Sequence, residues 1–76
     1  MKVVIAKVTE NLFDGEAISL TAPGAAGEMT VLGSHEPLVT TLKAGNITVR
    51  TQSDEQTFTI EGGVMEVRPD GVTVIL

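Results

Sequence analysis

Residues 23–45 read PGAAGEMTVLGSHEPLVTTLKAG, and this stretch decides the fold of the 76-residue chain. Its short apolar runs, MTVL and LVTTL, are separated by glycines and prolines, as strands are separated by turns. Pro23-Gly24 fits the central positions of a type II turn, because proline presets φ and glycine accepts the positive φ that follows. The proline before LVTTL keeps the preceding residue out of the helical region, so a strand is expected to begin directly after it. The stretch therefore predicts short strands joined by tight turns.

Turn signals recur about every eight to twelve residues along the whole chain, which is the spacing of an all-β sandwich or barrel. Between them, apolar and polar residues alternate with a period of two, as in half-buried strands. We therefore predict an all-β fold without a helix. The turn signals are Asp14-Gly15, Pro23-Gly24, Gly33-Ser34, Ala44-Gly45-Asn46, Ser53-Asp54 and Pro69-Asp70-Gly71.

The alternation also predicts which side chains share the core. Two runs break it, Val3-Val4-Ile5 and Val64-Met65, and we expect both to be covered on two faces or to lie where sheets meet. The core positions predicted from alternation are Ile18, Leu20, Ala22, Ile47, Val49, Phe58, Ile60, Val72, Val74 and Leu76.

Glycines near the end of the chain predict two local features. Gly62-Gly63 permits a bulge or a close approach of two backbones. Asp70-Gly71 is a two-residue hairpin signal that would join the last two strands.

The length predicts a single domain over residues 1–76. A chain of this size buries only roughly 60% of its unfolded surface, and no cysteine is present to add a disulfide. We therefore expect a domain that functions inside an assembly.

The net charge of −5 limits the classes of partner. It repels phosphate backbones and anionic lipid headgroups, which disfavours nucleic-acid binding and docking on a charged membrane surface. No apolar run approaches the ~20 residues that span a bilayer, so we expect no direct insertion and a cytoplasmic location.

His35 is the single histidine, and its neighbours Ser34 and Glu36 suggest a metal site or a catalytic dyad. A metal site needs three or four ligands, and a triad needs a base oriented by a third group. The PGAAGE loop also lacks the glycine-lysine-Ser/Thr ending of a phosphate-binding loop. We therefore expect no catalytic residue, cofactor or metal site, and we interpret His35 as structural or partner-facing.

Taken together, the motifs resemble the N-terminal domain of the epsilon subunit of F-type ATP synthases. The matching segments are VTENLFDGEAISL, GEMTVLGSHEPL, LKAGNITVR and IEGGVMEVRPDGVTVIL. They correspond to the opening hairpin, the histidine loop, the next strand pair and the closing glycine-glycine segment of that family. The resemblance implies a flattened sandwich of about nine or ten short, mostly antiparallel strands.

In that family the domain lies at the foot of the central stalk, where it holds the gamma subunit and contacts the polar loops of the c-ring without catalysing a reaction. The resemblance implies a rotor subunit that couples ion-driven rotation to ATP synthesis, peripheral to the cytoplasmic side of the inner or plasma membrane. Glu28 and Met29 would approach the c-ring, and His35 with its turn would lie near gamma. The full set of implied contact residues is Glu28, Met29, Thr30, Ser34, His35, Glu36 and Pro37.

The sequence departs from the family at three places in this loop. Thr30 stands where glycine is usual, Gly33-Ser34 where Pro-Gly is usual, and Glu36 where alanine is usual. Family members commonly continue into a helical hairpin that restrains ATP hydrolysis, and from these residues alone we expect no such inhibition. A natural short subunit and a piece of a longer one both fit, and the sequence does not specify the coupling ion.

An alternative function is a free-standing β-sandwich adaptor. Such a protein would bind its partner through an exposed strand edge or through the His35 loop.

Overall fold

The computed structural model describes residues 1–33 and 36–76, and these residues form nine strands and no helix. This confirms the all-β prediction. In chain order the strands are β1 (Lys2–Ala6), β2 (Asn11–Glu16), β3 (Ser19–Gly24), β4 (Gly27–Leu32), β5 (Leu38–Leu42), β6 (Gly45–Arg50), β7 (Glu55–Ile60), β8 (Gly63–Arg68) and β9 (Gly71–Ile75).

The strands form one continuous sheet in the order β2-β1-β9-β8-β5-β3-β6-β7, with β4 also paired to β3. Neighbours run antiparallel except β1 and β9, which are parallel. The sheet curls on itself, so that buried side chains from the first five strands in this order and from the last three form a single apolar cluster. The result is a flattened sandwich of two layers. One layer consists of β2, β1, β9, β8 and β5, and it covers the other layer, which consists of β3, β6 and β7.

Alternate positions of the strands supply the core, as the period of two predicts. Leu20 and Ala22, Ile47 and Val49, and Val72 and Val74 are all buried, which confirms those predictions. The largest fully buried side chains are Val3, Ile5, Leu20, Ile47, Val49, Met65, Val67, Val72 and Val74.

The two aromatic residues close the sandwich. Phe13 lies on β2 and Phe58 on β7, which are the opposite ends of the strand order. Their rings meet edge to face, with centroids 6.4 Å apart and planes inclined at 71°. This contact joins the ends of the curled sheet.

The prediction of a turn at Pro23-Gly24 is wrong. Both residues belong to β3, and the two-residue connection to β4 is Ala25-Ala26. Gly24 pairs with Gly27, which carries the positive φ of 135°. A Cβ on Gly24 would lie 2.9 Å from the Gly27 carbonyl oxygen, so close packing of the two strands, and not φ, requires glycine there.

Pro23 lies where β3 changes its partner. Residues 19–21 pair with β6, whereas Gly24 pairs with Leu42 of β5. Proline has no N–H to donate and is therefore unsuited to the middle of a continuous ladder. Here its carbonyl oxygen accepts a hydrogen bond of 2.8 Å from the Lys43 N–H. The proline is tolerated because the ladder with β6 has already ended.

Two side chains predicted for the interior point to solvent. Ile18 is 48% exposed and the adjacent Ala17 is buried, because Ala17 extends the β2 ladder by donating its N–H to the Met1 carbonyl oxygen. The alternation of β3 therefore does not continue through residue 18. Val64 is 43% exposed, because neighbouring side chains of β8 point to opposite faces of the sheet and only Met65 faces the core.

The glycine predictions hold in part. A Cβ on Gly63 would lie 2.7 Å from the Ile75 carbonyl oxygen, which confirms a close approach of two backbones. The last hairpin exists, but its turn is Pro69-Asp70 and Gly71 is the first residue of β9. A Cβ on Gly71 would collide with the Lys2 carbonyl oxygen, so β9 needs glycine to lie beside β1.

Candidate partner-binding groove

An open groove of about 360 Å³ lies between the tip of the β3–β4 hairpin and the start of β5. One wall is formed by Gly27, Glu28 and Met29, and the other by Leu38, Val39 and Thr40. We refer to these six residues and the space between them as the groove.

Two main-chain hydrogen bonds hold the walls of the groove together. The Ala25 N–H donates to the Thr41 carbonyl oxygen at 3.0 Å, and the Lys43 N–H donates to the Pro23 carbonyl oxygen at 2.8 Å. Both bonds join the hairpin to β5 or to the residue after it. The spacing of the walls is therefore set by backbone contacts and does not depend on flexible side chains.

The walls differ in chemistry. Glu28 is exposed at the rim, whereas Met29 is half-buried and packs against the apolar core. Across from them, Leu38 and Val39 are both exposed. Methionine adapts to irregular surfaces, and a partner that covers exposed aliphatic side chains is stabilised by the removal of their apolar surface from water. The groove is therefore suited to a protein segment that combines apolar side chains with a positive charge.

The structure brings together some of the contact residues predicted from the sequence. Glu28 and Met29 line the groove, and Glu36 and Pro37 are exposed directly before β5. Thr30 does not line it, since its hydroxyl lies 3.0 Å from the Thr21 hydroxyl on the outward side of β3 and β4. Ser34 and His35 lie outside the described residues.

Three groove residues were not predicted: Leu38, Val39 and Thr40. A signal for them was present, because Leu38 and Val39 are consecutive apolar residues and only one of two neighbours in a strand can face the core. Sequence alone could not show that the hairpin tip lies beside them.

The described residues offer little for other kinds of site. No three acidic or histidine side chains among residues 1–33 and 36–76 lie close enough together to hold a metal ion. Nor does this part of the chain contain a helix long and apolar enough to cross a bilayer.

Comparison with known proteins identifies the family. The family model described as "ATP synthase, Delta/Epsilon chain, beta-sandwich domain" matches residues 1–76. The ATP synthase epsilon chain of Caulobacter vibrioides is 42% identical over 64 residues, which are 84% of this chain and 74% of that protein. The epsilon chain of Herminiimonas arsenicoxydans is 35% identical over 77 aligned residues, which are 99% of this chain and 55% of the relative.

Solved structures share the fold. A cryo-EM structure of the Euglena gracilis mitochondrial ATP synthase, comprising OSCP, F1 and the c-ring, contains a chain with a TM-score of 0.88 and 25% identity. The match covers 96% of this chain and 48% of that one. The central stalk and c-ring of the Tetrahymena thermophila mitochondrial enzyme contain a chain with a TM-score of 0.83, 12% identity and coverage of 97% and 60%.

The chain thus spans about half to three quarters of the length of these relatives and structural neighbours. The match of the family model over the whole sequence and the identity to both relatives agree with the nine-stranded sandwich. The chain belongs to the ATP synthase Delta/Epsilon family, of which it carries the beta-sandwich domain.

Proposed function

We propose that the chain is a non-catalytic central-stalk subunit of F-type ATP synthase, which links the gamma subunit to the c-ring and couples ion-driven rotation to ATP synthesis. Family membership carries this proposal, since both relatives are ATP synthase epsilon chains. The structural neighbours support it, because they come from assemblies that include the c-ring.

A rotor joint must transmit torque without deforming, and the sandwich is suited to this. Its core is closely packed and joined across both halves of the sheet, and protein interiors of this kind have low compressibility. The hairpin beside the groove is fixed to β5 by main-chain hydrogen bonds. Force applied at the groove would therefore pass directly into the sheet.

The proposed contact residues are Glu28, Met29 and Thr30 on β4 and the segment from Ser34 to Pro37. The exposed carboxylate of Glu28 would face basic groups on the polar loops of the ring, and the turn that carries Glu36 would lie near gamma. Charges at the edge of an interface contribute mainly to orientation and association rate. A reversal of charge at Glu28 should therefore weaken the contact without disturbing the fold.

Residues 1–76 would act as one domain in this role. The domain would lie on the cytoplasmic side of the inner or plasma membrane, attached through the synthase.

Co-purification tests the proposal. The wild-type chain, Glu28→Lys and Glu55→Lys are each expressed with the gamma subunit and the c-ring, and the composition of the purified complex is measured. Glu55 is a charge-matched control, because it is exposed on β7, which is separated from β4 in the sheet by β6 and β3.

We expect the wild type and Glu55→Lys to purify with gamma and the ring, and Glu28→Lys to retain less ring. If the wild-type chain binds neither subunit at micromolar concentration, the proposal is wrong. The alternative function, an adaptor that binds another protein, is then favoured. If Glu28→Lys assembles as the wild type does, the assignment of the groove is refuted.

A further inference from the structure

Methionine is the most readily oxidised residue type in this chain. The sequence contains 3 methionines and no cysteine, tryptophan or tyrosine. The thioether sulfur of methionine reacts with peroxides in a two-electron step, and methionine sulfoxide reductases reverse the reaction. The order in which these sulfurs react with a peroxide therefore follows from how far the fold exposes each of them.

The fold exposes the methionines unequally. Met65 on β8 is 0% exposed, and the side chain of Met1 is 3% exposed. Met29 on β4 is half-buried and forms part of the wall of the groove. A peroxide reaches the Met65 sulfur only when the sandwich opens, whereas it reaches Met29 in the folded state.

The sulfur of Met29 lies beside a residue that has no side chain. A Cβ on Gly24 would lie 3.1 Å from the Met29 Sδ and 3.6 Å from its Cγ. Gly24 also borders the groove, whose volume is about 360 Å³. A water-sized molecule needs only ~10–15 Å³, and hydrogen peroxide is little larger than water. The groove therefore gives peroxide room beside the sulfur.

We propose that Met29 is a site of reversible oxidation by peroxides, and that its sulfoxide weakens the binding of a partner at the groove. The sulfur lone pair attacks one peroxide oxygen, the O–O bond breaks and an S–O bond forms. The transferred oxygen gives its proton to the departing hydroxide, which leaves as water. Sulfur loses two electrons and the peroxide gains them. In the reverse step a reductase uses two thiols, which become a disulfide, and the oxygen leaves as water.

Oxidation changes the chemistry of the groove wall. Met29 has the core behind it and Gly24 on one side, so the new oxygen is expected to point into the groove. The exposed aliphatic side chains of Leu38 and Val39 lie across from it. A partner that covers them would also bury the sulfoxide oxygen, which costs free energy unless that oxygen is hydrogen-bonded. This second step rests on the proposed function, in which the c-ring occupies the groove.

Peptide mass spectrometry tests the first step. The wild-type chain is treated with hydrogen peroxide, and the addition of oxygen to Met29 and Met65 is followed with time. We expect Met29 to react at least roughly tenfold faster than Met65 in the folded chain, and the two rates to converge in denaturant. A smaller difference in the folded chain would overturn the inference whether or not the chain binds the ring.

Co-purification with gamma and the c-ring tests the second step. The wild type, Met29→Leu and Met65→Leu are treated with peroxide, freed of it and then mixed with the other subunits. Leucine nearly conserves the volume of methionine and has no sulfur, and circular dichroism checks each fold. Every treated chain is compared with its own untreated sample.

We expect treatment to lower the ring retained by the wild type and by Met65→Leu at least roughly threefold, and a sulfoxide reductase with a thiol to restore it. Treatment should not change the ring retained by Met29→Leu. An equal loss in Met29→Leu, or no loss in wild type fully oxidised at Met29, would overturn the inference and leave the proposed function intact. Failure of the untreated wild type to retain the ring would overturn both.

Discussion

Replacing Gly71 by alanine tests whether the close contact of β9 with β1 holds the sheet together. The new Cβ would collide with the Lys2 carbonyl oxygen and lie 3.2 Å from the Lys2 carbonyl carbon. Neither atom is at the end of a flexible side chain, so the two strands must separate. This pairing is the single parallel one among the described strands and joins β2 and β1 to the rest of the sheet.

The expected cost follows from the position of the clash. Overpacking costs typically about 1–3 kcal/mol, and a backbone obstacle places Gly71→Ala near the upper end of that range. The whole domain is expected to be stable by roughly 4–11 kcal/mol, from ~0.05–0.15 kcal/mol per residue. A domain of this size loses about 4–8 °C in Tm per kcal/mol, so the midpoint should fall by roughly 10–20 °C.

Thermal unfolding followed by circular dichroism measures this change, with Gly33→Ala as the control. A Cβ on Gly33 meets nothing within 4 Å, and its φ is not in the positive range. The control should therefore melt within about 2 °C of the wild type, which corresponds to a change below 0.5 kcal/mol. If Gly71→Ala and Gly33→Ala have the same Tm, the close contact of β9 with β1 does not hold the sheet together.

Two further predictions concern side-chain contacts. The hydrogen bond and the charge of Asp14 raise the pKa of Lys2, so this pair stabilises the fold below the ordinary lysine pKa and the stabilisation is lost as pH rises through the raised value. Asp14→Asn should lower the pKa of Lys2 in an NMR titration, and an unchanged pKa would show that Asp14 is not its cause. In a double-mutant cycle, Phe13→Leu and Phe58→Leu should show a coupling of about 0.5–1.5 kcal/mol in the free energy of unfolding, because the two rings meet edge to face across the sandwich. Strict additivity of the two single substitutions would contradict a direct contact.

Much of the fold was predictable because strand periodicity is a local property. Leu20, Ile47 and Val72 face the core as alternation requires, and the extended segment after Pro37 is β5. Local patterns gave wrong predictions where the structure of a residue depends on which neighbouring strand it pairs with. Pro23-Gly24 has the composition of a turn, but these residues continue β3 because the ladder changes from β6 to β5 at that point.

The candidate site was less predictable than the fold. The resemblance selected Glu28 and Met29, and both line the groove. Val39 was missed, because its importance depends on a hydrogen bond between Ala25 and Thr41 that draws the hairpin tip to β5. The run Val64-Met65 predicts a strand that is covered on both faces or lies where sheets meet, but Val64 is exposed, because a run of two apolar residues does not reveal which of them faces outward.

The central claim is that this domain joins gamma to the c-ring, and cross-linking in the assembled synthase tests it most directly. The chain has no cysteine, so a single one can be introduced at Glu28 or at Glu36 without a competing thiol. With a short thiol-to-amine cross-linker, we predict that Glu28→Cys yields a product with the c subunit and Glu36→Cys a product with gamma. An assembled, coupled synthase in which neither cysteine reaches gamma or the ring would contradict the account.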